Sequence, residues 1–485
     1  MSGKKARARK EKRERRRDAN AGEAIPRLPD HLVVEHVLRS EHFDDPADLA
    51  RLPAVSRAMR AAVAETGLRF KELDEVEAVR LGCLSALQRR QRRGLLSRRE
   101  LLCVAAARGG HLEELKALRA DNTPWGWRTC WAAARGGHLE VLQWARSNGA
   151  PWDTRKCRRA AEGGHLEVLQ WAHANGCPWD ESTCHDAAAG GNLEVLLWAR
   201  ANGCPCDEME LHIAAQEGHE MVTRTLIEAG ADVNKTMDNG RTPLFVAAES
   251  GHKTVVRALL ELGAEVNKTN NDGVTPLYMA ARKDHHAIVR ALIKAGADID
   301  KAEDNVSTPL YIAAEQGHKT VVRVLIKAGA DINKAMVNGA IPFFMAAHKG
   351  HEAIVRTLLE AGVDVNKANN VGVTPLYMAT QNGHEAILSA LIEAGADVNK
   401  VRDVGVSPMY IAAQNGHEAI VSALIEAGAD VNKASNDGET PLIVARVRDH
   451  KAIFDILMDA GAVVPQKYVK PFEAFCAGMI NNGKK

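Results

Sequence analysis

Residues 240–266 read GRTPLFVAAESGHKTVVRALLELGAEV, and this stretch decides the fold. Thr242-Pro243-Leu244 opens a helix, because a Thr hydroxyl caps well and Pro suits the first helical position. Phe245 to Ser250 make about two turns that carry Ala247 and Ala248, side chains small enough for close helix packing. Gly251 then ends the helix, since only glycine takes a left-handed C-cap cheaply. From His252 a second helix sets Val255, Val256, Leu259 and Leu260 on one face, and Gly263 closes it. Ala264-Glu265-Val266-Asn267 leads to a turn at Asp272-Gly273, a favoured hairpin pair, and Thr275-Pro276-Leu277 begins the next unit.

The unit recurs along most of the 485 residues. Eleven of the 19 histidines fall at His111, His138, His165, His219, His252, His285, His318, His351, His384, His417 and His450, with Asn192 in the remaining slot. The step is 27 residues up to His219 and 33 beyond it, a period that means stacked supersecondary units. Cysteines keep the same register: Cys103, Cys130, Cys157 and Cys184 stand 27 apart, as do Cys177 and Cys204. They therefore read as structural positions repeated, whereas a metal site needs paired, convergent ligands. Cys204-Pro205-Cys206 is the nearest approach to such a pair. Nine cysteines, an odd number, with no apolar export segment, predict free thiols in a reducing compartment.

Together these residues resemble the ankyrin repeat. The TPL triplet stands at Thr242, Thr275, Thr308, Thr374 and Thr440, and its slot reads Ile341-Pro342-Phe343 and Ser407-Pro408-Met409 elsewhere. The resemblance covers about residues 101–463, or twelve helix pairs. It implies an all-α solenoid of stacked helix-turn-helix repeats, with short β-hairpin fingers in the 33-residue repeats and a protein-binding surface. The position after the triplet, usually His in that family, holds Phe245, Tyr278, Tyr311, Phe344, Tyr377, Tyr410 or Ile443, and only His212 keeps it, so aromatic packing is expected there. Val306 takes a finger's glycine slot and predicts a different turn. The first four junctions are six residues shorter, which leaves Asp153, Asp180 and Asp207 to cap the helices that follow. All eight tryptophans lie between Trp125 and Trp198, in two registers: Trp125, Trp152 and Trp179, and Trp144, Trp171 and Trp198. Packing at repeat junctions is the expected use of these stripes.

Ahead of the repeats the pattern changes. Residues 1–24 carry ten Lys/Arg against four acids and form a basic tail, read as an import signal, a phosphate-attracting arm or a solubilising segment. Residues 25–70 run Leu28-Pro29, a short apolar-periodic stretch, Asp48-Leu49 and Val55-Ser56-Arg57, which resembles an F-box. That family docks the Skp adaptor of a cullin ubiquitin ligase. The resemblance places Leu28, Pro29, Leu32, Val37, Leu49, Val55 and Arg57 on or beneath the adaptor face, with Met59 where a Trp is usual. A plain helical cap over the first repeat is the other reading, since stacks need such caps. Residues 71–100 are expected to be a helical linker or cap, 101–229 the short repeats, 230–463 the long repeats and 464–485 a C-terminal cap or tail. Residues 89–99 add a second basic patch of six Arg.

Apolar residues at 46% and charged residues at 26% exclude general disorder, and no stretch approaches a membrane span. There is no GxSxG, phosphate-loop, HExxH or EF-hand pattern, so neither catalysis nor a cofactor or metal is expected. Recognition should fall on positions that stacking leaves free to vary. At the ends of the first helices these are Glu249-Ser250, Arg282-Lys283, Glu315-Gln316, His348-Lys349, Gln381-Asn382 and Gln414-Asn415. At the finger tips they are Met237-Asp238-Asn239, Asn270-Asn271-Asp272, Met336-Val337-Asn338, Asn369-Asn370-Val371 and Arg402-Asp403-Val404. Met237, Met336 and Val404 are the expected hot spots. The chain thus reads as a protein-binding adaptor of a cullin-type ubiquitin ligase. Alternatives are a stand-alone ankyrin scaffold and a nuclear, nucleic-acid-associated protein. A monomer in the cytoplasm or nucleus, off the membrane, is expected, with protein and not nucleic acid as the partner.

Overall fold

The computed structural model describes residues 74–150, 156–302 and 307–464. The basic tail, the F-box-like residues Leu28 to Arg57, Asp153, Val306 and the C-terminal segment lie outside them. The chain divides into two compact units, residues 1–213 and 214–485, with the division inside the helix Met209–Glu217.

In the first unit the helices are α1 (Glu75–Leu81), α2 (Leu84–Arg92), α3 (Glu100–Arg108), α4 (Leu112–Ala120), α5 (Trp127–Arg135), α6 (Leu139–Ser147), α7 (Lys156–Glu162), α8 (Leu166–Ala174), α9 (Glu181–Ala189), α10 (Leu193–Ala201) and the start of α11 (Met209–Glu217). Odd-numbered helices from α1 to α9 form an inner row in which each packs on the next. The approach is close because Ala106, Ala133, Ala160 and Ala187, each fully buried, present only a methyl group. Leu115, Leu142, Leu169 and Leu196 of the outer helices are buried beneath them, each contributing about 1.5–3 kcal/mol. α1 and α2 join this stack as a further pair, with Gly82 against the backbone of Gly109. Asp180 accepts from Ser182 N–H at 3.0 Å and Asp207 from Met209 N–H at 2.8 Å, which makes both the caps their spacing predicts.

The second unit holds the rest of α11, then α12 (Glu220–Glu228), α13 (Pro243–Ser250), α14 (Lys253–Glu261), α15 (Pro276–Arg282), α16 (His286–Lys294), α17 (Pro309–Gln316), α18 (Lys319–Lys327), α19 (Pro342–Lys349), α20 (Glu352–Glu360), α21 (Pro375–Gln381), α22 (Glu385–Glu393), α23 (Pro408–Asn415), α24 (Glu418–Glu426), α25 (Pro441–Val447) and α26 (Lys451–Asp459). Inner helices α13 to α25 pack in one row and outer helices α12 to α26 in another. Thr242 accepts from Phe245 N–H at 3.1 Å, and the same cap recurs at Thr275, Thr308, Thr374, Ser407 and Thr440. Ile341 has no oxygen to offer, and α19 begins on Pro342 alone. Gly251 has φ 90°, and a Cβ there would lie 2.8 Å from the His285 ring, so both backbone and neighbour demand glycine.

Aromatic residues fill the slot after the triplet, and Phe245, Tyr278, Tyr311, Phe344, Tyr377 and Tyr410 are all buried. The hydroxyls look for partners 29 residues on: Tyr278 accepts from Ser307 at 3.0 Å, and Tyr410 donates to Glu439 at 2.8 Å. Val406 stands in that place for Tyr377, whose hydroxyl is buried without a partner.

The expected β-hairpin fingers are absent: the described residues contain no β-strand. The connections at Met237, Asn270, Met336, Asn369, Arg402 and Ser435 are tight turns with one closing backbone bond, such as Met237 N–H to Arg241 C=O at 3.0 Å, plus a second like Gly240 N–H to Met237 C=O at 2.8 Å. The groups that a ladder would need point sideways to the neighbouring repeat. Asn271 N–H donates to Asn239 C=O, Asn370 N–H to Asn338 C=O and Asp403 N–H to Val371 C=O. No described helix is long and apolar enough to cross a membrane.

Candidate functional site

The expected groove positions lie on a rigid ladder within the second unit. His285, His318, His351, His384, His417 and His450 each place Nε2 2.9–3.2 Å from the backbone oxygen of Glu249, Arg282, Glu315, His348, Gln381 and Gln414 in turn. A carbonyl can only accept, so Nε2 carries the proton in every case. These six acceptors are the first variable residue of each inner helix end. Asn192, in the one slot without histidine, does the same work in the first unit: its amide donates to Ala161 and Glu162 C=O at 2.9 Å.

A second ladder, built from asparagines that the repeat pattern did not single out, runs beside the first. Asn234, Asn267, Asn366, Asn399 and Asn432 accept, through Oδ1, the N–H of Glu265, Asp298, Asp397, Asp430 and Val463 at 2.7–2.8 Å. Asp300 serves Asp331 likewise. The signal is an acid-x-Asn run that recurs at the 33-residue period, as in Asp232-Val233-Asn234, Glu265-Val266-Asn267 and Asp364-Val365-Asn366.

Between these ladders the variable side chains face outward. Ser250, Arg282, Lys283, Gln316, Lys349, Asn382 and Asn415 are exposed, while Glu249, Glu315, His348, Gln381 and Gln414 are half-buried. Some are already engaged. Glu249 pairs with Arg241 of its own turn, which brings turn and helix end to one place. The Asn382 amide donates to His348 C=O at 3.0 Å and to His348 Nδ1 at 3.1 Å, and Asn415 donates to Gln381 C=O at 2.8 Å. Because Nδ1 accepts, the His348 ring is neutral. Burial, with Lys349 and His384 nearby, holds it below the ordinary histidine value.

The turns divide differently from expectation. Asp238, Asn239, Asn271, Asp403 and Val404 are exposed, but Asn270, Arg402, Met237 and Met336 are half-buried. Both methionines pack on the hydrophobic core, because the first turn position points back toward the helices, so they are not exposed tips. On the described turn tips the exposed apolar residues are Val337, Val371 and Val404, at 76%, 51% and 48%. They sit on three successive turns tied to one another by Asn370 N–H to Asn338 C=O and Asp403 N–H to Val371 C=O.

In the first unit the tryptophans pack in pairs: Trp125 on Trp144 and Trp179 on Trp198, ring centres 5.6 Å apart, with His173 stacked on Trp179. Cysteines depart from expectation. Cys184 and Cys206 form a disulfide, while Cys103 and Cys204 are buried thiols. The sulfurs of Cys184, Cys204 and Cys206 lie within 4.8 Å of one another, as do ligand atoms of His185, Asp207 and Glu210. Glu210 is 1% exposed, and burial raises its carboxyl pKa against the pull of Arg200.

Stacked helix pairs that recur every 27 and then every 33 residues, locked by side-chain ladders, define a repeat protein. A family model described as Ankyrin repeats (3 copies) matches residues 157–270, 262–336, 333–402 and 395–468, and one described as Ankyrin repeats (many copies) matches residues 130–173. The chain belongs to the ankyrin-repeat family. No curated protein matches it. A scaffold of this family is a non-catalytic protein-interaction module.

Proposed function

We propose that the second unit holds a protein partner across the ends of α19, α21 and α23 and the turns beside them. The observation that carries this reading is the valine patch Val337, Val371 and Val404, solvent-exposed on three turns bonded side by side. Lys349, Gln381, Asn382, Gln414 and Asn415 give it a polar rim, the arrangement of an interface core and its surround. Toward α13 to α17 the surface alternates in charge, Glu249, then Arg282 and Lys283, then Glu315. A matching partner is apolar and uncharged at one end and mixed in charge at the other. Cross-linking from position 371 in cells, compared between wild type and Val371→Asp/Val404→Asp, tests this: specific partners of the wild type should vanish from the variant. Unchanged capture would refute the patch.

The finer reading is that residues 25–64 dock a Skp-type adaptor, so that the bound protein is delivered to a cullin-type ubiquitin ligase. Its support is the spacing of Leu28, Pro29, Leu32, Val37, Leu49, Val55 and Arg57. Leu32→Asp with Leu49→Asp should then abolish adaptor capture and leave the valine patch working. Capture of a partner without any adaptor would make the chain a stand-alone scaffold. The chain acts as a monomer in cytoplasm or nucleus in either reading. DNA or RNA binding that falls steeply with salt and is lost on deleting residues 1–24 would favour the nucleic-acid-associated alternative.

A further inference from the structure

We propose that Cys184, Cys204 and Cys206, in their reduced form, are the three thiolate ligands of one zinc ion at the end of the short repeats. Cys184 lies on α9; Cys204 and Cys206 lie on the connection between α10 and α11. Their sulfurs are all within 4.8 Å of one another, and in a tetrahedral site with Zn–S near 2.3 Å sulfurs stand about 3.8 Å apart. A disulfide employs two of these sulfurs and leaves the third beside it. A soft cation employs all three.

The repeat register shows which residue makes the difference. Cys184 follows Cys103, Cys130 and Cys157, and Cys204 follows Cys177, so both occupy positions the array uses for cysteine elsewhere. Cys206 does not: its slot, 27 residues after Trp179, carries Trp in the registers of Trp125, Trp152 and Trp179. One substitution relative to the stripe thus converts a repeated pair of cysteines into a convergent trio. Cys184 and Cys204 are buried, while Cys206 is half-exposed and leaves an open side for a water as fourth ligand. The Cys204 thiol donates to Asp180 C=O at 3.4 Å, which fixes the direction of that sulfur beside the other two.

Loading proceeds from the disulfide by exchange with two equivalents of a small cellular thiol, which leave as their own disulfide and deliver two hydrogens to Cys184 and Cys206. Zinc then displaces three protons and binds three thiolates and one water.

The test uses the full-length chain, reduced and handled without oxygen. Titrated with zinc chloride and desalted, the wild type should retain one zinc per chain. With cobalt(II) as probe it should show sulfur-to-cobalt charge-transfer absorption. Cys206→Trp, which restores the residue of the stripe, should lower zinc at least tenfold, and Cys177→Ser should keep it. If Cys206→Trp fails to reach wild-type helicity, Cys206→Ser is measured in its place. Absence of zinc from the reduced wild type, zinc retained by the Cys206 variant, or a Cys184–Cys206 bond that survives excess reductant would each overturn the proposal.

Discussion

His351 donates its Nε2 proton to the backbone oxygen of Glu315, 2.9 Å away and 36 residues earlier. The bond ties the start of α20 to the end of α17, one repeat back. It also fixes the backbone of Glu315, one of the positions proposed to face a partner. Binding and stability should therefore be separable by substitution.

His351→Ala should lower the stability of the second unit by about 1 kcal/mol, the usual net worth of such a bond, with more lost if Glu315 C=O is left buried. In the first unit, where Asn192 stands in for histidine, His165→Asn should be milder than His165→Ala. Urea midpoints of the four proteins decide the matter. Equal losses for Asn and Ala would show that ring packing, and not the hydrogen bond, is what matters.

Stability should fall as the pH drops below the ordinary histidine range. Burial lowers the pKa of His138 and His285 in the folded chain. The unfolded chain, with histidine near 6.5, then binds more protons in the window between the two values. The contribution is complete above about pH 6.5 and is lost as the pH falls through the folded values. Denaturation midpoints from roughly pH 8 to pH 5 should decline, and a flat profile would contradict the lowered values of His138 and His285.

Tyr377→Phe should be neutral or stabilising, by up to about 1 kcal/mol, because it removes a buried hydroxyl that has no partner. Tyr410→Phe should be destabilising, since it breaks the bond to Glu439. Thermal melts of both variants give the sign directly.

Val371→Asp/Val404→Asp should cut partner affinity tenfold or more while shifting stability by less than about 0.5 kcal/mol, as exposed substitutions do. Met336→Ala should do the opposite, at about 1–2 kcal/mol of stability, because that side chain packs on the core. Binding titration and urea denaturation on the same preparations distinguish the two.

Much of the array is legible in a single unit. Thr242, Pro243, Ala247, Ala248, Gly251 and His252 act within one or two helical turns of themselves, and the observed α13 and α14 begin and end where those residues require. The aromatic slot was legible for the same reason. The turns were not. Asp272-Gly273 suits a hairpin locally, but Asn271 N–H finds Asn239 of the preceding turn, so the bonds run between repeats and no strand forms. Met237 and Met336 looked like tips because position in a turn does not say which way a side chain points.

Residue order alone settles the period, the helix boundaries and the family, because caps, glycine stops and apolar spacing act over a few neighbours. Folding alone decides that Cys184 meets Cys204 and Cys206, that three valines gather on bonded turns, and that histidine and asparagine ladders lock one repeat to the next. Those contacts join residues some 20 to 36 positions apart, and their geometry depends on how one helix pair settles against another, which no local preference specifies.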